Sequence, residues 1–278
     1  MQPHRIRSNP ERLPHPKSER NTLTSSPTLE VTGDGAIKVV RMCRPSSRNA
    51  VNAELHSELT NIWSTLAADP TVRAVVLCGA GGYFSAGGDA EWLHQVATDQ
   101  IERTRSLDEA KRLVGEMIRF PLPIVAAVEG PAVGLGSSLA SLCDLVIMGE
   151  NAYFADPHVA IGVVAGDGAV ATWPFLMGLM RAKEYLYTGE KITSAVALEL
   201  GLATRVVPAD RVFDEAMALA ERLAALPAAA LKATKRALNM PMEKVSVGVM
   251  DYACAAEAET FTLPDFKKTL QAMSARPK

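Results

Sequence analysis

The sequence is short of aromatic residues and has no excess of charge of either sign. Phenylalanine, tryptophan and tyrosine make up 5% of its 278 residues, so side chains on which bases or sugars could stack are scarce. Its 29 lysines and arginines are balanced by 31 aspartates and glutamates. Nucleic acids and anionic membranes need a concentrated basic surface, so this balance argues against both partners. The composition is that of a cytoplasmic small-molecule enzyme.

Cysteine is also scarce, and no CxxC or CxxH spacing joins Cys43, Cys78, Cys143 and Cys254. A zinc site built on such pairs is therefore excluded, and we expect small buried thiols in a reducing compartment. No GxSxG motif surrounds any serine, so a serine hydrolase is not indicated. Nothing in the sequence indicates a metal or a redox cofactor.

Long uninterrupted hydrophobic runs are missing as well. The longest candidate, residues 124–148, is interrupted by Glu129, Pro131 and Asp144. Because a charge near the centre of a bilayer is costly, a buried strand–turn–helix–strand is the better interpretation of this segment. We therefore predict no membrane partner.

The first 27 residues differ in composition from the rest of the chain. They contain five prolines and almost no large apolar side chains, and they lack the apolar core of a secretory signal. We predict a disordered N-terminal tail over residues 1–27. An α/β core is predicted over residues 28–205 and a helical C-terminal region over residues 206–278.

From residue 28 onward, strand and helix patterns alternate. The sequence GDG at 33–35 predicts the turn of a hairpin between strands 28–31 and 36–42. Short β-rich or apolar runs predict further strands over 73–79, 124–128 and 145–148. Helical periodicity predicts helices over 52–68, 101–120, 134–142, 181–187, 194–200, 212–226, 228–239, 243–262 and 264–273. The β–α–β order predicts parallel strands that are covered on both faces.

Two glycine-rich segments could carry chemistry. GAGGYFSAGGD at 79–89 follows a predicted strand, and EGPAVGLGSS at 129–138 turns from a strand into a helix. Glycines let the backbone approach a ligand closely, and a helix N-terminus offers unpaired N–H groups. Together the two segments could form an oxyanion hole, although each alone is also compatible with tight turns and close packing.

These segments and three others resemble the crotonase (enoyl-CoA hydratase/isomerase) superfamily. RPSSRNAVN at 44–52, FSAGGD at 84–89 and GPAVGLG at 130–136 are similar to three motifs of that family. YFADPH at 153–158 with IGVV at 161–164 is similar to a fourth. LYTGEKITS at 186–194 with 197–207 is similar to a fifth, and all five occur in the family's order.

The resemblance implies an α/β fold with a crotonase-like ββα spiral core of perpendicular sheets and a helical C-terminal trimerisation region. It further implies an acyl-CoA thioester substrate and a homotrimer or a dimer of trimers. The matching oxyanion donors are the backbone amides of Gly88 and Leu135. Coenzyme A would enter as part of the substrate, with no separate cofactor.

The chain departs from the family at the acid/base positions. The two glutamates of family hydratases correspond to Ser138 and His158 here. A histidine can exchange protons near neutral pH, although a packed structural histidine is an equal alternative. Asp167 is the nearest other carboxylate, and we propose that it shares proton transfer at the α and γ carbons of the thioester with His158. Its alternative role is to cap a helix that starts at Gly168.

The resemblance also implies substrate-binding residues along the same motifs. For Arg48, a family CoA-binding cation and a solvated surface arginine are equal alternatives. The predicted substrate-binding set is Arg48, Ala50, Ala86, Asp89, Ala132, Pro157, Val163 and Ala165.

Other functions compete with this assignment. GDGAVA at 166–171 followed by Glu184 fits a weak dinucleotide-binding pattern, but it lies deep in the chain and no second nucleotide-binding half follows. The missing glutamates also leave open a catalytically silent acyl-CoA binder, or a hydrolase, a decarboxylase or a carbon–carbon lyase that uses the same oxyanion donors. The leading prediction is an enoyl-CoA hydratase/isomerase-type enzyme that stabilises a thioester enolate.

Overall fold

The computed structural model describes residues 22–33 and 35–274, and most of its strands form one seven-stranded sheet. Its strands in chain order are β1 (Thr22–Ser25), β2 (Leu29–Thr32), β3 (Ile37–Met42), β4 (Ala74–Gly79), β5 (Ile124–Val128), β7 (Leu145–Gly149) and β10 (Arg205–Val207). The spatial order is β1-β2-β3-β4-β5-β7-β10. Strands β1 to β3 pair antiparallel, and β3 onward pair parallel, as the β–α–β pattern predicts. Both β4 and β5 are buried along their whole length, which suits apolar strands covered on both faces.

The resemblance implied more than one sheet, but the strands of the second, three-stranded sheet were not predicted, because they are only two or three residues long. It consists of β6 (Pro131–Val133), β8 (Tyr153–Ala155) and β9 (Ile192–Thr193). Strands β6 and β8 run parallel, so their carboxyl ends lie together. Gly134 N, just beyond β6, donates a 2.9 Å hydrogen bond to Ala155 O at the end of β8. The segments that follow these two strands are thereby held next to each other.

Ten α-helices of the described residues surround the sheets. They are α1 (Ala53–Ala68), α2 (Ala90–Thr98), α3 (Gln100–Arg119), α4 (Leu135–Leu142), α5 (Ala169–Met177), α6 (Leu179–Thr188), α7 (Ser194–Leu200), α8 (Val212–Ala224), α9 (Ala228–Thr260) and α10 (Pro264–Ser274). Helix α2 was not predicted. It begins at Asp89, whose carboxylate accepts a hydrogen bond from Glu91 N and caps the first turn.

The large sheet is covered on both faces by apolar side chains. On one face, Val212, Ala216 and Leu219 of α8 join a cluster with alternate residues of the central strands. On the other face lies the main core, which contains Trp63 and Trp173. Helix α8 belongs to the predicted C-terminal region but packs on this sheet, and the division of the chain at residue 205 remains a prediction.

Helix α9 corrects one prediction, since residues 228–239 and 243–262 were expected to form two helices. A single helix, Ala228–Thr260, runs through Pro241. The proline removes one amide from the helical ladder, but side chains before it anchor the helix to the body of the protein. Lys235 Nζ donates to Leu122 O at 2.8 Å, and Asn239 Nδ2 donates to Ile118 O at 2.9 Å.

The predicted N-terminal tail is mostly outside the described residues, which begin at residue 22. Within it, Thr22–Ser25 form strand β1 beside β2, so the predicted boundary at residue 27 is wrong. Main-chain pairing with β2 does not require apolar side chains, so the composition of this segment did not reveal it. A search of the described helices finds none with the length and apolarity needed to cross a bilayer.

Candidate active site

The two glycine-rich segments lie side by side in the structure. Ser85 N donates to Pro131 O and Val133 N donates to Ser85 O, both at 3.0 Å. Gly87 has a φ of 88°, and a Cβ atom on it would lie 2.9 Å from Val133 O. Only glycine allows this approach, because other residues would be strained and would collide with the backbone. The predicted convergence of the two segments is thus present in the fold.

Gly88 and Leu135 carry the two predicted oxyanion donors. Val51 N donates to Gly87 O and Asp89 N donates to Val51 O, which fixes the backbone on either side of Gly88. Leu135 is the first residue of α4, where an amide has no acceptor within its own helix. Neither amide donates to any acceptor among the residues that the structure describes. Both residues that carry these N–H groups line the same cavity.

This cavity has a volume of about 180 Å³ and is largely apolar. Its apolar wall comes mainly from α2, α3 and the residue after α9, and includes Trp92, Leu93, Val96, Leu107, Ala110 and Phe261. Five polar side chains also line it, namely His56, Ser106, His158, Asp167 and Glu257. Such a mixture of an apolar wall and a few polar groups is typical of a small-molecule site.

Three of the predicted catalytic residues form one cluster with a fourth residue, through two hydrogen bonds and one charged contact. Ser138 Oγ donates to Asp167 Oδ1 at 2.7 Å, and His158 Nε2 lies 3.4 Å from Asp167 Oδ2. His158 Nδ1 contacts Asp156 Oδ1 at 2.5 Å. Asp156 is fully buried, and its other carboxylate oxygen has no hydrogen-bond partner among the described residues. The histidine ring therefore bridges two carboxylates.

The charges in this cluster determine where its protons reside. Burial would lower the pKa of His158, but the negative charges of Asp156 and Asp167 outweigh it and hold that pKa well above its usual value. Burial raises the pKa of Asp167, while the charge of His158 and the hydroxyl of Ser138 act against the rise. His158 and Asp167 are thus two titratable groups in contact, each with a raised pKa.

Asp167 does not cap helix α5, which was its alternative role. The residue before the helix is Gly168, and no side chain caps that end. The carboxylate of Asp167 turns instead toward Ser138 and His158.

Asp156, His158 and Asp167 also offer three possible metal-ligand atoms within 4.8 Å of one another. Each carboxylate approaches a different ring nitrogen of His158, so protons on the ring account for both contacts. The absence of a metal remains a prediction.

Glu257 is a cavity residue that the sequence analysis missed. It lies on α9 and is 4% exposed. Burial raises its pKa to about 8, although the positive charge of His158 opposes this shift. A signal was present in the sequence. Glu257 lies on one face of its helix, and the other residues of that face are apolar, namely Met250, Ala253, Cys254 and Phe261. A glutamate in such a position predicts either a buried partner or a functional group.

His56 on α1 is a second cavity residue that was missed. Its Nδ1 lies 3.0 Å from Glu109 Oε2 of α3, and its ring packs against Trp92 with centroids 5.0 Å apart. No sequence pattern joins His56 to Glu109, since they are 53 residues apart and meet only when the two helices pack.

Of the predicted substrate-binding residues, Ala86, Pro157 and Val163 line the cavity. The other five do not, because the fold directs them elsewhere. Arg48 is exposed, with its guanidinium 5.7 Å from the centre of the Tyr83 ring. Asp89 caps α2 and forms a 3.0 Å ion pair with Arg44. The remaining three are small side chains packed in the interior, namely Ala50, Ala132 and Ala165.

Comparison with known proteins extends this description. A sequence model of the enoyl-CoA hydratase/isomerase family matches residues 32–277. The chain is 32% identical over 235 residues to the 2,3-dehydroadipyl-CoA hydratase of Escherichia coli, covering 84% of this chain and 89% of that relative. It is 29% identical over 246 residues to the short-chain-enoyl-CoA hydratase of Clostridium acetobutylicum, covering 88% and 94%.

A solved structure agrees with these sequence matches. The crystal structure of an enoyl-CoA hydratase/isomerase from Mycobacterium paratuberculosis superposes with a TM-score of 0.87 at 43% identity, covering 89% of this chain and 98% of that chain. The predicted α/β crotonase-like fold is thereby confirmed. The resemblance inferred from the five motifs is confirmed as well, and the chain belongs to the enoyl-CoA hydratase/isomerase family.

Proposed function

We propose that the protein is an acyl-CoA thioester enzyme of the hydratase/isomerase type, which stabilises a thioester enolate between the amides of Gly88 and Leu135. One observation carries the proposal: both amides lack an acceptor among the described residues and belong to residues of one cavity wall, which Asp167 and His158 also line. Oxyanion donors of this kind act on charge that develops during the reaction. Family membership supports the thioester as the electrophile.

Asp167 is the proposed base. With the thioester carbonyl oxygen held by the two amides, its carboxylate takes a proton from the adjacent carbon and leaves an enolate. His158, 3.4 Å from Asp167, receives or returns that proton. Asp156 keeps the ring oriented through Nδ1, and Ser138 orients the carboxylate of Asp167 through its hydroxyl. The chain's own groups thus supply both the base and the anion stabilisation, and coenzyme A is needed only as part of the substrate.

The cluster favours proton transfer over addition of water. A two-glutamate hydratase uses two carboxyl groups to hold and activate one water molecule. At the matching positions this chain has Ser138, whose hydroxyl is engaged with Asp167, and His158, whose ring lies between two carboxylates. We therefore favour movement of a double bond through an enolate as the reaction.

A second candidate is hydrolysis of a thioester or of a carbon–carbon bond next to a carbonyl. The Asp156–His158 pair favours it, because a histidine oriented by a carboxylate is an arrangement that activates a nucleophile. Both candidates use the same pair of amides. They differ in whether water enters the product.

One experiment separates these reactions. The purified protein is incubated with 2-enoyl, 3-enoyl, β-keto and malonyl thioesters of coenzyme A, and the products are identified by mass spectrometry and NMR. We expect isomers of the enoyl substrates without a change of mass. A gain of water without cleavage contradicts the preference for isomerisation, and release of coenzyme A or of a shorter thioester selects hydrolysis. Binding without turnover across the panel contradicts an enzymatic role.

We also propose that the protein assembles into trimers or dimers of trimers. Large apolar side chains are exposed on α6 and α9, including Met180 (86%), Leu238 (73%) and Tyr252 (77%). Such surfaces are usual where another chain packs. Light scattering after size-exclusion chromatography checks the mass, and a monomer would contradict the proposal.

We further propose a cytoplasmic location, which the four free cysteines support because they suit a reducing compartment.

A further inference from the structure

A buried glutamate, Glu257, lines the same cavity beside the acid/base cluster. Glu257 lies on α9, whereas Asp167 precedes α5 and His158 follows β8. The carboxyl of Glu257 accepts no hydrogen bond from the residues that the structure describes, yet it lines the cavity. It also packs tightly against Gly166, where an added Cβ would lie 2.0 Å from Oε2. The absence of a side chain at Gly166 thus makes room for the carboxyl next to Asp167.

The surroundings of Glu257 favour its neutral form. Burial raises its pKa to about 8; the positive charge of His158 opposes this, and the charges of Asp167 and Asp156 add to it. Lys111 of α3 is paired with Asp251 at 3.5 Å. Cys254, one turn earlier on α9, donates through its Sγ to Gly166 O. Helix α5 brings no titratable side chain, and among the described residues His158 is the one positive group whose charge acts on the pKa of Glu257.

A neutral carboxylic acid can give a proton and a carboxylate can accept one, so two such groups that line one cavity have complementary roles. An isomerisation removes a proton from one carbon and adds a proton to another, so two proton carriers can divide these two steps between them. Two titratable groups with different environments are a common way to divide acid and base roles. Neither position that holds a glutamate in family hydratases supplies this second carboxyl here.

We propose that Glu257 is a further catalytic residue, the acid that completes the reaction begun by Asp167. The proposal rests on the proposed function. Asp167 takes the proton on the carbon next to the thioester, and the electron pair moves into the enolate. Glu257 then gives its proton to the γ carbon, where the new C–H bond forms as the double bond moves into conjugation. Asp167 is left protonated and Glu257 ionised, and transfer of one proton between them through His158 or solvent restores both.

The test separates the two proton transfers. A 3-enoyl-CoA is incubated in D₂O with the full-length protein, and deuterium uptake at the α carbon is measured together with formation of the 2-enoyl product. In Glu257→Gln we expect α-carbon exchange close to that of the unmodified protein, and product formation lowered by about 10²–10⁴-fold, which is the usual contribution of a general acid. Glu257→Asp should recover part of the product formation, and Glu259→Gln, on the exposed side of the same helix, should change neither rate.

A second variant tests the position of the carboxyl without removing it. In Gly166→Ala the added methyl group would push the Glu257 side chain away, since that chain is the flexible partner of the contact. We expect the same pattern as in Glu257→Gln, with exchange retained and product formation lost. The proposal is overturned if Glu257→Gln forms product at the unmodified rate, or if exchange and product formation fall equally. A complete lack of exchange in the unmodified protein would instead reject the proposed function itself.

Discussion

The hydroxyl of Ser138 lies 2.7 Å from Oδ1 of Asp167 and donates a hydrogen bond to it. Ser138 occupies the position of the first family glutamate, and Asp167 is a carboxylate outside both glutamate positions. Ser138, which stands where the resemblance leads one to expect a carboxylate, therefore donates a hydrogen bond to a different carboxylate, that of Asp167. The base that we propose thus lies on the segment before α5, and α4 provides its hydrogen-bond donor.

Replacing Asp167 by asparagine should remove the base. The amide cannot accept the substrate proton, so we expect exchange of the α proton with D₂O to fall by about 10²–10⁴-fold. Binding of a non-reactive acyl-CoA, measured by calorimetry, should be retained, because the two amides and the apolar wall are unchanged. An Asp167→Asn variant with full turnover on its substrate would remove Asp167 from the mechanism.

Replacing Ser138 by alanine should change the pH dependence more than the maximal rate. The hydrogen bond from Ser138 lowers the pKa of Asp167, so its loss should raise that pKa. The acidic limb of the pH–rate profile then moves to higher pH, and the rate recovers as the pH rises. Ser141→Ala is the matched control, because Ser141 is buried one turn further along α4 and contacts Thr172 instead. Identical acidic limbs for the two variants would contradict this role for Ser138.

Replacing Asp156 by asparagine should lower the pKa of His158. Burial would lower that pKa, and the charge of Asp156 is the first of the groups that raise it. NMR titration of the His158 ring protons measures the change directly. Titration of His158 at an unaltered pH would show that Asp156 does not hold the histidine in its charged form.

The same variant should lose stability. A histidine with a raised folded-state pKa stabilises the fold fully below its unfolded value of about 6.5, and the contribution disappears as the pH rises through the folded-state value. In Asp156→Asn this loss should occur at lower pH than in the unmodified protein. Breaking a buried charged pair costs on the order of 3 kcal/mol, which denaturant unfolding at several pH values can detect.

Replacing Leu135 by proline should remove the proposed oxyanion donor while leaving the helix in place. Proline is well accepted at the first position of a helix, where the amide has no helical acceptor. We expect kcat to fall by about 10²–10³-fold, the usual effect of losing one such donor. Leu135→Ala keeps the amide and loses the same side-chain contacts, so it should retain most of the activity. Equal losses in the two variants would mean that the side chain, and not the N–H group, matters at this position.

Replacing Glu257 by glutamine should stabilise the protein at neutral and higher pH. The folded state holds the proton of Glu257 up to about pH 8, whereas the unfolded chain releases it near pH 4.3, so stability falls as the pH rises between these values. Glutamine has no proton to lose, and the gain should reach on the order of 3 kcal/mol at pH 7. Thermal unfolding of both proteins from pH 5 to pH 8.5 should show a widening difference. A difference that does not depend on pH would mean that Glu257 is ionised in the folded state.

The large elements and the oxyanion segments could be predicted because their signals are local. Buried parallel strands are apolar runs, helix α1 shows helical periodicity, and glycines mark close backbone approach at Gly87. The short strands β6, β8 and β9 show no such pattern in the sequence, because two or three residues are too few to reveal an alternation of apolar and polar side chains. Pro241 misled the prediction of α9, because tertiary contacts from Lys235 and Asn239 outweigh the local cost of a proline.

The acid/base cluster could be predicted only in part. Motif positions drew attention to Ser138 and His158, and Asp167 followed as the nearest carboxylate. The contact between His158 and Asp156 links residues two apart in a turn, and nothing in a strand or helix pattern encodes it. Glu257 reaches the cavity through the packing of α9, about a hundred residues further along the chain. Such partners are decided by how helices pack, which a single sequence does not display.

The hydrogen bond from Gly134 to Ala155 joins two short parallel strands, and the amide of Leu135 follows one of them while His158 follows the other. This main-chain hydrogen bond holds the proposed anion-binding amide at a fixed distance from the proposed proton-transfer group. Side chains at 138, 158 and 167 can therefore be exchanged without altering that spacing. In a scaffold of this kind, a few side-chain substitutions can convert one carbonyl chemistry into another. The main-chain amides that are proposed to bind the carbonyl oxygen stay unchanged throughout.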